Sequence, residues 1–167
     1  MLHVFIGDDD YTIRRAVEEV RKSAGDPTAV MTNTSVLDGK QVSPAELRQA
    51  CETVPFLSDK RLVIVEGLLE RFEAGAKSGR KKSSKKDGEP ERWKVIADGI
   101  KTLPDFTELI IIGGDIKPTN PLLKELTPTK RVRTMKKLKP PELKSWINKY
   151  VTEKGSKISP AAVNTLV

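Results

Sequence analysis

The chain has 167 residues, of which 37% are hydrophobic and 32% charged, with a formal net charge of +7. That composition describes a soluble globular protein with room for one ordinary domain and the start of another, and no apolar run approaches the roughly 18 to 20 residues of a membrane span. A lone cysteine, Cys51, excludes an internal disulfide and suits a reducing, cytoplasmic setting.

The opening MLHVFIG is apolar but short, lacks a basic lead-in and meets Asp8, Asp9 and Asp10 at once. It reads as a first strand over residues 2–6, not as a signal peptide. Ile13, Ala16, Val17 and Val20 follow at the spacing of an amphipathic helix, which Gly25, Asp26 and Pro27 end. Residues 29–36 are rich in Val and Thr and predict a second strand. Ser43, Pro44 and Glu46 form a helix start, with a serine cap, proline in the first turn and a glutamate closing a capping box. Leu47, Ala50, Cys51 and Val54 are the predicted inner face of that helix.

Pro55, Phe56 and Leu57 then occupy a corner that polar residues normally fill. Residues 62–65, Leu-Val-Ile-Val, are an unbroken apolar run and predict a strand buried on both faces. Leu68, Leu69 and Phe72 suggest a short helix, and Trp93, Ile96, Ala97 and Ile100 another. Residues 109–112 repeat the buried-strand pattern ahead of Gly113 and Gly114. Residues 121–126 predict a short helix, and residues 132–135 a more polar, edge-like strand. Alternating strands and helices, with strands apolar throughout, predict an α/β fold with a mainly parallel sheet. From Pro140 the pattern turns helical: Leu143, Trp146, Ile147, Tyr150 and Val151 form a stripe that Gly155 stops, and Ser159 and Pro160 open one more helix.

The positive charge is concentrated. Residues 77–86 and 130–139 each carry six Lys or Arg and no acid, which leaves the rest of the chain at −5. Two basic patches on a mildly acidic body suggest a polyanionic partner, nucleic acid first. The Ser, Gly and Lys of the first patch also describe a mobile loop.

Parallel α/β sheets often hold nucleotides where the first strand meets its helix, in a loop of several glycines ending in lysine. Here residues 7–12 read Gly-Asp-Asp-Asp-Tyr-Thr. Three carboxylates at the positive end of a helix complement its dipole and repel phosphate. Glu66, at a strand end where a magnesium-holding acid could sit, is read as a solvated carboxylate. His3 is the only histidine and has no cysteine or histidine partner, so a metal site is not expected, and no Ser/His/acid or Cys/His grouping can be assembled. Neither a catalytic site nor a cofactor is expected.

The order of these features resembles the delta subunit of the bacterial DNA polymerase III clamp loader. The stretches carrying the resemblance are HVFIGDDDYTIRRAV, ACETVPFLSDKRLVIVEG and NPLLKELTPTKRVRTMKKLKPPELKSWINKYVTEKGSKISPAAVNTL. It implies an AAA+-like P-loop NTPase fold with a mainly parallel five-stranded sheet and degenerate nucleotide motifs over residues 1–139, including a mobile basic loop at 76–90. Residues 140–167 would begin a truncated helical domain. It also implies a subunit that binds and opens the beta sliding clamp for loading onto primed DNA, without ATP hydrolysis of its own, beside the gamma/tau and delta prime subunits. The family's apolar clamp-binding pair falls on Pro55 and Phe56 when the Ser58 columns are matched, with Leu57 beside it, so Phe56 is the anchor and either Pro55 or Leu57 its companion. The alternative is a basic DNA-binding module acting through Lys77, Arg80, Lys81, Lys82, Lys85 and Lys86, together with Lys130, Arg131, Arg133, Lys136 and Lys137.

Overall fold

Unbroken apolar strands in an all-parallel sheet organise the chain. The computed structural model describes residues 1–73, 89–129 and 131–167, which divide into two compact units, Met1–Met135 and Lys136–Val167. The first unit holds five strands: β1 Leu2–Gly7, β2 Thr34–Asp38, β3 Arg61–Glu66, β4 Thr107–Gly113 and β5 Val132–Met135. They lie in the order β2-β3-β4-β1-β5, and all four pairings are parallel. The five-stranded parallel sheet expected from the sequence is therefore present, with the apolar runs β3, β4 and β1 in its centre and the more polar β5 at an edge.

Successive side chains of a strand point to opposite faces, and each face has its own core. Val4, Ile6, Val63, Val65, Leu109 and Ile111 pack beneath α3 (Pro44–Glu52), α4 (Glu89–Lys101) and α5 (Pro121–Leu126). On the opposite face Phe5, Leu62, Ile64 and Ile110 meet α1 (Asp10–Ser23) and α2 (Pro27–Thr32). The predicted stripe of α1 is buried as expected at Ile13, Ala16, Val17 and Val20. The capping box of α3 is also formed: Ser43 Oγ accepts from the Glu46 N–H at 3.2 Å, and Glu46 accepts from the Ser43 N–H at 2.7 Å.

The structure departs from the sequence expectation in two places. Residues 29–32 are helical, not a strand, because Asp26 caps the backbone N–H groups of Thr28 and Ala29 and Pro27 sits in the first turn; β2 starts only at Thr34. After β3, Leu68 and Leu69 are fully buried but the helical turn is a 3₁₀ segment of three residues, Glu70–Phe72.

The sheet closes tightly at the end of β1. Gly7 has φ +136°, and a Cβ there would collide with the backbone carbonyl of Met135. Its N–H donates to Gly114 O at 2.9 Å, and the next two N–H groups, of Asp8 and Asp9, both reach Met135 O.

The second unit is built from α6 Pro140–Glu153, which buries Ile147, and α7 Pro160–Leu166, which buries Val163. Gly155, at φ +73°, ends α6, and Ser159 caps α7 through the Ala162 N–H at 3.2 Å. Among the described residues no helix is long and apolar enough to cross a membrane.

Candidate partner-binding corner

The corner at residues 53–60 joins the end of α3 to the start of β3. Helix α3 stops at Glu52, and Thr53, with extended backbone, closes it through an N–H bond to Gln49 O. Leaving the helix there turns Val54 outward: the residue predicted to continue the inner face is 73% exposed. Phe56 is 68% and Leu57 83% exposed, so three large apolar side chains reach water within four residues. Pro55, between them, is half-buried. The alternative fate for Phe56 and Leu57, tucking beneath the sheet as core, is not what the chain does.

Exposure here is not looseness. At the exit, Arg61 donates from Nε to Ala50 O and from Nη2 to Ser35 Oγ at 2.9 Å. Lys60 Nζ donates to Asp105 O at 2.9 Å and lies 3.3 Å from Glu108 Oε1. The other oxygen of the buried Glu108 pairs with His3 Nε2 at 3.0 Å, which accounts for the lone histidine. At the centre, the side chain of Asn33 bonds the backbone of Phe56, accepting from its N–H at 2.6 Å and donating to its carbonyl at 2.8 Å. Leu57 follows with φ +49°, the left-handed region that costs a side-chain-bearing residue about 1 kcal/mol or more. Asn33 is a contributor to this site that sequence reading misses, since nothing in local sequence links two residues 23 apart.

Behind the corner, Cys51 faces the core, 3% exposed, and burial pushes its thiol up to about 11. A thiol held neutral by desolvation is a poor nucleophile. Labelling by a maleimide at pH 7.5 is therefore expected to be slow in the folded chain and fast in denaturant; fast labelling of the native protein would contradict the packing of α3. The raised value also implies stability that is complete below the unfolded thiol's range near 9 and is lost as pH rises toward about 11.

The carboxyl ends of the strands form a separate cleft, where nucleotides sit in folds of this kind. Its lining includes Gly7, Asp10, Asp38, Glu66 and Glu70, with Arg14 and Lys40 as the cations. Asp9 accepts from both the N–H and the hydroxyl of Thr12, at 3.0 and 2.6 Å, so its carboxylate fills the start of α1 where a phosphate would bind. Glu66 is exposed, as its strand-end position predicts.

Of the basic candidates, Lys77, Arg80, Lys81, Lys82, Lys85, Lys86 and Lys130 lie outside the described residues. Arg131 and Arg133 flank Val132 on the edge strand β5. The Arg133 guanidinium lies 4.5 Å from the centroid of the buried Phe5 ring, and Arg131 Nη1 lies 3.3 Å from Met1 Sδ. Both therefore have packing partners within the first unit. Lys136 and Lys137 are exposed and belong to the second.

The sheet and its helices have counterparts among known proteins. A family model described as DNA polymerase III, delta subunit, matches residues 3–136, most of the chain and all of the sheet but Leu2. The chain belongs to the DNA polymerase III delta subunit family. Among solved structures, the Bacillus subtilis DNA clamp loader delta protein superposes with a TM-score of 0.75 at 18% identity, over 99% of this chain and 47% of that one. The delta-family chain thus spans about half the length of the structure it matches. A DNA polymerase III gamma subunit-related protein from Thermotoga maritima superposes with a TM-score of 0.48 at 14% identity, over 89% of this chain and 45% of that one. No curated protein matches the sequence. Membership in the delta family agrees with the sequence resemblance and with the five-stranded parallel sheet.

Proposed function

We propose that this delta-family chain binds the ring-shaped beta sliding clamp through Phe56 and Leu57 and favours the ring with one interface open. It would do so within a clamp loader, beside gamma/tau and delta prime subunits, at primed DNA and without hydrolysing ATP itself. The observation that carries this reading is the pair of adjacent large apolar side chains, 68% and 83% exposed, on a backbone fastened from both sides. Exposed apolar anchors cost solubility, and a partner pocket that covers them can return several kcal/mol of binding. Exposure favours Leu57 over the half-buried Pro55 as the companion of Phe56.

Opening requires no chemistry from this chain. A ligand with higher affinity for the open ring than for the closed one shifts the ring's equilibrium by that difference. The acids lining the strand-end cleft support a subunit that leaves nucleotide to its neighbours, because they disfavour a bound polyphosphate. The experiment is gel filtration of the chain with a bacterial sliding clamp, where this reading predicts co-elution and separate elution would refute it.

The strain at Leu57 gives a second check. Leu57→Gly relieves the positive φ and is expected to raise stability by up to about 1 kcal/mol in urea unfolding. The same change removes an anchor, so clamp affinity should fall. A residue kept at the expense of stability is expected where function selects it; unchanged affinity would free Leu57 from any such role.

A further inference from the structure

We propose that Asn33 is the positioning residue of this corner, holding the Phe56 backbone in the form the partner binds; this rests on the clamp-binding reading above. Asn33 is 3% exposed, so a polar carboxamide has been taken out of water and must be satisfied by protein. Its Nδ2 donates to Ala29 O and Phe56 O, both at 2.8 Å, and its Oδ1 accepts from the Phe56 N–H at 2.6 Å. Both side-chain N–H groups and the oxygen are thereby used.

The backbone of Asn33 is fixed as well. Its N–H donates to Ala29 O and Val30 O at the end of α2, and its carbonyl accepts from the Leu62 N–H at 3.0 Å at the start of β3. One residue therefore ties the end of a helix, the first rung of the β2–β3 ladder and the middle of an exposed loop. Its side chain pairs with Phe56 as a neighbouring strand would, using both backbone polar groups and leaving the ring free to face water. The adjacent Leu57 is held at φ +49° with no glycine to ease it, so the loop depends on outside support for its shape. Without the carboxamide, residues 54–58 would sample other conformations, and binding would have to pay for reordering them.

Two measurements test this on the intact chain. Hydrogen exchange comes first: in the wild type the Phe56 amide is expected to exchange well below its unprotected rate although its side chain is exposed, and an unprotected Phe56 amide overturns the inference without any variant. The second is Asn33→Ala, expected to remove that protection while the β3 amides of Val63, Ile64 and Val65 keep theirs, and to weaken binding to the sliding clamp about 10-fold. Asn33→Leu, which keeps the buried volume, serves if the smaller side chain prevents folding. A wild type that binds the clamp no better than Asn33→Ala overturns the positioning role alone. A wild type that does not bind the clamp at all overturns the clamp reading, and the docking role of Asn33 with it.

Discussion

Replacing Phe56 with alanine is expected to lower affinity for a sliding clamp by about 30-fold or more, while the circular dichroism spectrum and melting temperature stay at wild-type values. The size follows from the energetics of interface anchors. An aromatic ring that enters a desolvated pocket typically loses about 2 kcal/mol or more on truncation, and each 1.4 kcal/mol is about tenfold in affinity. The stability half follows from exposure: Phe56 is 68% accessible and its backbone, not its ring, makes the bonds to Asn33. Truncating a solvated side chain away from caps and core changes stability by about 0.5 kcal/mol or less. A drop in affinity accompanied by a large fall in melting temperature would instead mean that the ring supports the fold. Titration calorimetry and thermal unfolding on the same preparations separate the two.

The second large effect concerns the fold. Gly7→Val is expected to destabilise the first unit by about 3 kcal/mol or more, read as a shift in the urea midpoint with little change in slope. A Cβ at this position meets the Met135 carbonyl, and φ +136° is a region that side-chain-bearing residues rarely adopt. Relief would require moving β5, whose last residue accepts the N–H groups of Asp8 and Asp9. Gly155→Ala is a useful contrast: φ is again positive, at +73°, but a Cβ there meets nothing within 4 Å. Its cost should be limited to about 1 kcal/mol of backbone strain. Equal effects from the two substitutions would mean that conformation, not the crowding at the end of β1, sets the penalty.

Much of the first unit was legible because its strands and helices obey short-range rules. The unbroken runs at residues 62–65 and 109–112 lie in central strands, both faces covered, and hydrophobic periodicity located α1 without help from the structure. The rule that predicts α3 from Ser43 and Pro44 also describes α2, where Asp26 and Pro27 stand in the same relation. Residues 29–32 look strand-like by their Val and Thr content, but capping outweighs a weak propensity. Val54 shows the opposite limit. Helical spacing assigns it to the buried face of α3, yet the helix ends two residues earlier and the side chain turns to solvent.

Within the candidate site, the apolar character of Phe56 and Leu57 was visible in the sequence, while their fate was not. An apolar pair on a corner can fold inward or stand out, and composition does not choose between these. The choice is made by contacts that span the chain: Asn33 to Phe56, Arg61 to Ser35 and Lys60 to Asp105. Those pairs are 23, 26 and 45 residues apart, and no local pattern encodes them. For the basic stretches, clustering of charge was legible but its use was not. Arg133, a member of a run that reads as a nucleic-acid patch, covers the Phe5 ring.

The claim that residues 53–60 dock the sliding clamp is tested most directly by hydrogen–deuterium exchange of the full chain with and without that clamp. Slowed exchange on clamp addition, concentrated in peptides covering residues 53–60 and reaching Asn33 at the end of α2, is the predicted result. Slowing confined to other segments, with residues 53–60 unchanged in a complex that demonstrably forms, would contradict it.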